Sequence, residues 1–290
     1  MIKAADLYNL FLESPKTENS LIIPVGYDGE GIKELSFSCR GKIRDRNGKL
    51  STGNRNGCIV YCNTVTEGVN LISGLIVNLC NKYSPEEARF SYYNYNDTSK
   101  DTFSFLSSLA NANRICYNVS EQMLPEEMEQ LREEYKTRYQ QIYKYSDCYA
   151  RAVEAARQKG ESLSLPQELL VFHISKHGYM YDQIRQFEKY VDFLTQQLWR
   201  VGIYPVFLFE NDITASEFSK CTQSVGCELL LSTSRKRIKN KSVDLSYGEA
   251  LLSTGYDSWD LHSEGEERFN VPLYDMEWIN ESISRLNAGA

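Results

Sequence analysis

The sequence predicts an α/β protein built around a mainly parallel sheet, with a small β-rich extension at its amino end. Three observations carry this reading. From residue 58 onward, short apolar runs of strand type alternate with stretches of helical periodicity over roughly 200 residues, the pattern of strands joined by crossover helices. Before residue 58 the apolar runs alternate with turns instead. The chain has 290 residues, 42% of them of the AVILMFWYC class and 24% charged, which suits one large core or two small ones and is too apolar for disorder.

The elements follow in order. Residues 5–11 read as a short helix, and 20–25 and 33–39 as strands around the turn Tyr27-Asp28-Gly29-Glu30-Gly31. The polar, Gly/Asn-rich stretch 41–57 reads as a hairpin or loop. Residues 58–62 are an apolar run of buried-strand type, and Val69, Ile72, Leu75, Ile76 and Leu79 fall at helical spacing within 68–83. A strand over 88–95 and a helix over 102–112 come next. The stripe Leu124, Met128, Leu131, Tyr135, Ile142, Tyr145, Tyr149 predicts one long helix or two joined ones over 125–157, with a solvated charged face. A loop at 159–166 leads to strand 169–174, helix 179–200, strand 204–209, a short helix at 215–221 and strand 228–233. A short helix at 247–252, short strands at 256–260 and 267–271, and a closing helix at 275–286 complete the chain. Residues 1–57 are expected to pack as an extension on the edge of the 58–290 core, giving one structural domain.

The net charge of −7, from 32 Lys+Arg against 39 Asp+Glu, makes strong sequence-independent DNA binding unexpected, because that affinity comes from neutralising phosphates. No window reaches the roughly 18–20 consecutive apolar residues of a membrane span, and residues 1–16 have no apolar core of signal-peptide type. The chain therefore reads as cytoplasmic, or as the cytoplasmic part of a membrane-anchored protein, without membrane contact of its own. Eight cysteines, none in a CxxC pair, are scattered through apolar stretches and read as buried free thiols. His173 and His177 are four apart, but His173 ends a strand, so a partly buried histidine with a backbone partner is expected there rather than a metal ligand, and no metal site is predicted.

Ligands of parallel sheets sit at the carboxyl ends of the strands, so the loop after Cys62 is the first place to look. A phosphate-binding loop there needs glycines, a Lys and a Ser/Thr for magnesium. The turn reads Cys62-Asn63-Thr64-Val65-Thr66-Glu67-Gly68-Val69-Asn70, with one glycine, no lysine and an added carboxylate.

These stretches, in their order, resemble the RecA-like motor domain of FtsK/SpoIIIE-type ATPases, closest to a degenerate carboxyl-terminal module of type VII secretion proteins of the EssC/EccC kind. Leu21-Ile22-Ile23-Pro24-Val25-Gly26-Tyr27-Asp28 is similar to the family's opening L-x-x-P-x-G-x-D, and residues 58–70 stand where its strand and G-T-T-G-S-G-K-S loop fall. Ser84-Pro85-Glu86-Glu87 looks like its SPEE segment, Leu165-Pro166 its LP before the second nucleotide-site strand, and Arg200-Val201-Gly202-Ile203 its R-x-x-G-I. Gly248-Glu249-Ala250-Leu251-Leu252 followed by Gly255-Tyr256-Asp257 looks like GAxxLLGxGD. The resemblance covers nearly the whole chain. It implies a RecA-like P-loop NTPase fold, an αβα sandwich in which strands 58–62, 88–95, 169–174, 204–209 and 228–233 share one sheet. Finding 58–62 and 169–174 in different sheets would overturn it.

The departures matter as much as the matches. By position, Gly68 stands at the family's Lys and Val69 at its magnesium-binding Ser/Thr. The strand that should end in Asp-Glu ends in His173-Ile174, and the nearest later acid is Asp182. Asn63, Thr64, Thr66, Glu67, Gly68, Val69, His173 and Ile174 thus form the expected remnant of a nucleotide site, with no catalytic residue and weak or absent ATP and magnesium binding. Glu67 is expected either to occupy the bare N–H groups of the helix start, as an internal substitute for phosphate, or to point into solvent. A paired Glu67→Gly, Gly68→Lys change is expected to restore some binding if the backbone keeps loop geometry. The resemblance implies a silent ATPase module that recognises an export-substrate protein or regulates neighbouring ATPase modules or protomers. Arg235, Lys236 and Arg237, in a run of five cations within eight residues, are either a solvated loop or a contact for an acidic partner. Two alternatives stand beside this: an active FtsK-type DNA translocase or conjugative motor, opposed by the missing Lys and acids, and an unrelated small-molecule enzyme, for which no nucleophile–base pair is found. The chain begins close to the family's opening motif, as either a stand-alone paralogue or part of a longer protein would.

Overall fold

The computed structural model describes residues 2–44, 50–62, 64–94, 104–116, 123–174, 180–209, 225, 227–232, 237–238, 241–242, 244–253 and 266–289. Among these residues eleven strands form one sheet: β1 (Leu21–Tyr27), β2 (Ile32–Arg44), β3 (Leu50–Arg55), β4 (Cys58–Tyr61), β5 (Ala88–Asn94), β6 (Ala112–Cys116), β7 (Gln167–Ile174), β8 (Ile203–Phe209), β9 (Glu228–Leu231), β12 (Glu249–Ser253) and β13 (Glu266–Asn270). Their order is β3-β2-β1-β13-β12-β9-β4-β8-β7-β5-β6. From β9 to β6 every pairing is parallel, and from β9 back to β3 every pairing is antiparallel. The five strands expected to share a sheet all lie in the parallel part, with β4 and β7 separated only by β8. The β-rich extension continues the same sheet, reaching it through the last strand, β13.

The inner parallel strands β4 and β8 are apolar throughout, and β7 is apolar over Leu169–Phe172, because helices cover both faces. Along β4, Cys58 and Val60 join one buried cluster and Ile59 and Tyr61 the other; β7 and β8 alternate in the same way. On the first face lie α1 (Ala4–Glu13), α2 (Val65–Lys82) and α6 (Met276–Gly289), contributing Phe11, Ile72, Leu75, Leu79 and Ile279. On the second lie α3 (Met123–Ile142), α4 (Tyr149–Gln158) and α5 (Met180–Gln196), contributing Met128, Leu131, Ala152 and Val191. This is a three-layer αβα sandwich.

The two ends of the chain meet. Lys3 bridges Leu273, Leu273 N–H donates to Ile2 C=O at 2.9 Å, and Ala4 N–H donates to Leu273 C=O at 3.5 Å. Asn78 of α2 ties them further, its amide donating to Pro24 C=O and to the buried Tyr274 hydroxyl, both at 3.1 Å.

Two elements differ from the expectations, and the stretch expected as one long helix or two joined ones is two, α3 and α4. The helix over 102–112 is a 3-10 turn, Ser104–Ser108, followed by β6. Residues 247–252 contain a strand, β12, because pairing with β9 on one side and β13 on the other outweighs the local Ala-Leu-Leu pattern. The helix at 215–221 and the strand at 256–260 fall outside the described residues. A two-residue hairpin, β10 (Arg237–Ile238) with β11 (Lys241–Ser242), forms within the basic run. Among the described cysteines, Cys58, Cys62, Cys80, Cys148 and Cys227 are buried thiols outside any disulfide. Among the described residues, no helix is long and apolar enough to cross a membrane.

Candidate functional site

The expected site lies at the carboxyl ends of β4, β8 and β9, where α2 starts. Cys62 N–H still donates to Phe209 C=O at 3.0 Å, so strand pairing with β8 extends to residue 62. Thr64 is the extended N-cap of α2, and Gly68 N–H donates to Thr64 C=O at 3.3 Å. The helix is therefore wound from Val65, and only residues 62–64 connect strand to helix. Of the segment that stands where the phosphate loop falls, the part from Val65 onward is already helix.

Gly68 faces the sheet. A Cβ at this position would lie 2.7 Å from Cys62 Sγ and 2.9 Å from Leu208 Cδ1, so the glycine permits close approach of α2 to β4 and β8. The condition for restoring binding through Gly68→Lys, a loop backbone, is not met: residue 68 is helical and its side-chain direction is filled. Val69 is buried among core residues, while Thr64 and Thr66 are exposed. Glu67, the third residue of α2, sits where a carboxylate is favoured by the helix dipole. It also accepts a hydrogen bond from Ser232 Oγ, just past β9, at 2.7 Å.

Thr64, Thr66, Glu67 and Asn70 line one wall of a cavity of about 270 Å³, whose other walls are Leu71, Leu231, residues 247–249 and residues 271–274. These far walls were not anticipated, since they come from segments some 180–200 residues away in sequence. Gly248, with φ of +87°, turns the chain into β12 at the cavity rim. Tyr274 closes the back and packs over Gly74 of α2, where a Cβ would lie 2.4 Å from the ring.

The second half of the expected site is β7. His173 is fully buried and shares a 2.7 Å hydrogen bond between Nδ1 and the Tyr92 hydroxyl. By register it lies between Asn94 of β5 and Leu208 of β8. Ile174 is buried in the opposite face. The single carboxylate on β7, Glu168, is at the amino end, roughly 16 Å from His173 at strand rise. There it accepts from Ser91 Oγ at 2.5 Å, Asn113 Nδ2 at 3.1 Å and Arg138 Nη2 at 3.1 Å, a structural ion pair remote from α2. Among the described residues no three His, Cys, Asp or Glu side chains converge as metal ligands. Asn63, His177, Arg235 and Lys236 lie outside the described residues, and of Arg237 only the backbone strand is described.

No protein-family model matches the chain, and no curated protein matches it. Solved structures do. The chain is similar to the cytoplasmic domain of the Thermomonospora curvata type VII secretion ATPase EccC, at 15% identity and a TM-score of 0.70, over 98% of this chain and 34% of that one. The ATPases 2 and 3 of T. curvata EccC, in complex with a signal sequence peptide, match at 12% identity and a TM-score of 0.55, over 94% and 43%. EssC (ATPases 2 and 3) from Geobacillus thermodenitrificans matches at 12% and 0.61, over 95% and 49%. The pCW3 conjugation coupling protein TcpA, a monomer form with ATPγS, matches at 12% and 0.59, over 93% and 71%. The chain thus spans about a third to a half of the secretion ATPase chains. The shared fold is the RecA-like ATPase fold.

Proposed function

We propose that this chain is a catalytically silent, FtsK/SpoIIIE-like module of a type VII secretion machine, acting by protein recognition or by regulating active neighbours in the cytoplasm. The observation that carries the reading is the start of α2: helix already wound at Val65, Gly68 packed on Cys62 where a phosphate-binding lysine would stand, and Glu67 held by Ser232. Phosphoryl transfer rests on positioning and charge stabilisation. A carboxylate in the first helical turn opposes both for a triphosphate, and β7 supplies no acid at its carboxyl end to hold magnesium. The cavity beside α2 keeps an apolar wall from Leu71, Leu231, Val271, Pro272 and Leu273. That lining suits an apolar side chain of a partner better than phosphates. Neighbouring ATPase modules and an export substrate are the partners in this reading, supported by the multi-ATPase chains that share the fold and by the EccC complex with a signal sequence peptide.

The test is nucleotide binding and turnover by the isolated chain. Calorimetry should show ATP binding no tighter than on the order of millimolar, because the lysine and metal contacts that supply several kcal/mol are missing. Micromolar binding, or magnesium-dependent hydrolysis that disappears on replacing Thr64 or Thr66, would favour the active motor instead and refute this reading.

A further inference from the structure

The parallel half of the sheet ends at β6, and among the described residues no strand pairs with its outer side. An edge strand presents a row of backbone donors and acceptors to any chain that can lie beside it. The residues of β6 are exposed or half-buried. The pairing of β6 with β5 shifts register between Phe90 and Ser91, which turns the consecutive side chains of Asn113 and Arg114 toward the same face, that of α3.

On that face α3 runs antiparallel to β6. Glu134 pairs with Arg114 at 3.1 Å, and Glu127 lies beside Cys116, whose thiol is pushed up to about 12 by burial and then by that carboxylate. Between helix and edge strand lies an open groove of about 640 Å³, floored by Asn113 and Arg114 and walled by Glu126, Glu129, Glu133 and Glu134. Arg114 is held by Glu134. Glu129 touches Arg132 at 3.3 Å, but that guanidinium also lies over the rings of Tyr190 and Phe193, at 5.3 and 5.6 Å. Glu133 touches the exposed Lys136 at 2.5 Å, and Glu126 has no ion-pair partner among the described residues. The groove wall is braced by hydrogen bonds: buried Glu168 ties Ser91 of β5, Asn113 of β6 and Arg138 of α3 to β7, and Arg138 also donates to Pro166 C=O at 2.6 Å.

Glu126, Glu129 and Glu133 form an i, i+3, i+7 stripe with successive residues about 5–6 Å apart. Alternate side chains of an extended chain are spaced by about 6.6 Å. We propose that this edge is a docking groove for an extended Lys- or Arg-rich polypeptide segment of a partner protein, which adds as a strand beside β6 and sets alternate cations against Glu126, Glu129 and Glu133. Charge complementarity selects this occupant over a second copy, since pairing two such edges would bring two acidic stripes together. The inference does not depend on whether the chain binds nucleotide.

A fluorescent heptapeptide of alternating Lys and Val/Thr serves as the probe, with anisotropy as the readout. The Lys peptide should bind, weakening at least tenfold from 50 to 300 mM salt. The same peptide with Glu for Lys, and the Lys peptide N-methylated along one edge, should each bind at least tenfold more weakly. The exposed-face variant Glu126→Gln/Glu129→Gln/Glu133→Gln should lose tenfold in affinity with its circular dichroism melt unchanged. In the wild type, hydrogen exchange of residues 112–116 should slow on binding. No binding, equal binding of the N-methylated peptide, binding without protection of 112–116, or dimerisation of the chain through this edge would each overturn the proposal.

Discussion

Gly68→Ala separates a helix packed on a strand from a phosphate-binding loop. In an open helical position the change would stabilise by about 0.5–1 kcal/mol, through helix propensity and a less disordered unfolded chain. Here the new Cβ would sit 2.7 Å from Cys62 Sγ and 2.9 Å from Leu208 Cδ1, roughly 1 Å inside the 3.5–4.0 Å of good contact. Leu208 can turn its methyl away, but the sulfur of the fully buried Cys62 has little room to move. Overpacking of this size costs about 1–3 kcal/mol, so the net expectation is destabilisation by about 1–2 kcal/mol. With a urea m-value of about 3 kcal/mol/M, the midpoint falls by roughly 0.5 M at unchanged slope. In a Cys62→Ala background most of the penalty should vanish, giving a coupling of about 1 kcal/mol. The Glu67→Gly/Gly68→Lys protein carries the same Cβ clash and should gain no ATP binding in calorimetry. A higher midpoint for Gly68→Ala, or recovered binding in the double variant, would show that residue 68 stands in an open loop and would refute the argument.

Gly74→Ala should be more damaging still, since its Cβ would meet three atoms of the Tyr274 ring at 2.4–2.5 Å; a loss of about 2–3 kcal/mol in denaturant unfolding is expected, partly recovered by Tyr274→Leu. Arg138→Met should cost about 3–5 kcal/mol by stranding Glu168, while Arg138→Met/Glu168→Leu should return close to wild type; equal losses in both would contradict a buried ion pair. Burial pushes the phenols of Tyr83 and Tyr149 up to about 12, against about 10 for a free tyrosine. The fold holds the neutral phenol, so this stability is complete below pH about 10 and is lost as pH rises from about 10 to 12. Absorbance at 295 nm should rise together with loss of the circular dichroism signal, and full ionisation near pH 10 in an intact fold would contradict this.

The parallel half of the fold was legible because its central strands are buried on both faces: β4, β7, β8 and β9 fall on apolar runs, and β5, which includes Arg89 and Ser91, follows the turn residues Ser84-Pro85-Glu86-Glu87. β6 was not, because an edge strand with Asn113 and Arg114 on one face carries no apolar run and no clear alternation. β12 was misread as helix, since a short Ala-Leu-Leu stretch has no decisive period and its state is set by partners far along the chain. The site was half legible. The missing Lys and acids could be read by position, yet the start of α2 was placed at 68 although Thr64-x-x-Glu67 is itself the pattern of a helix start. The cavity walls at 247–249 and 271–274 had no local signature at all, because only the sheet order brings them to α2.

The junction of the two ends has a consequence for how the molecule is made. Among the described residues, the hairpin of β1 and β2 joins the rest of the sheet through β13, about 240 residues later, and the amino-terminal backbone is held by Leu273. Such closures have high contact order and large loop-closure entropy, so they form late and slowly. During synthesis at about 5–20 residues per second, the hairpins of residues 21–55 wait on the order of ten seconds or more without their sheet neighbour, an unpaired edge exposed to aggregation. Folding of this chain on the ribosome should therefore remain incomplete until residue 274 has emerged, and a chaperone bound to the early hairpins would release them only when the last strand arrives.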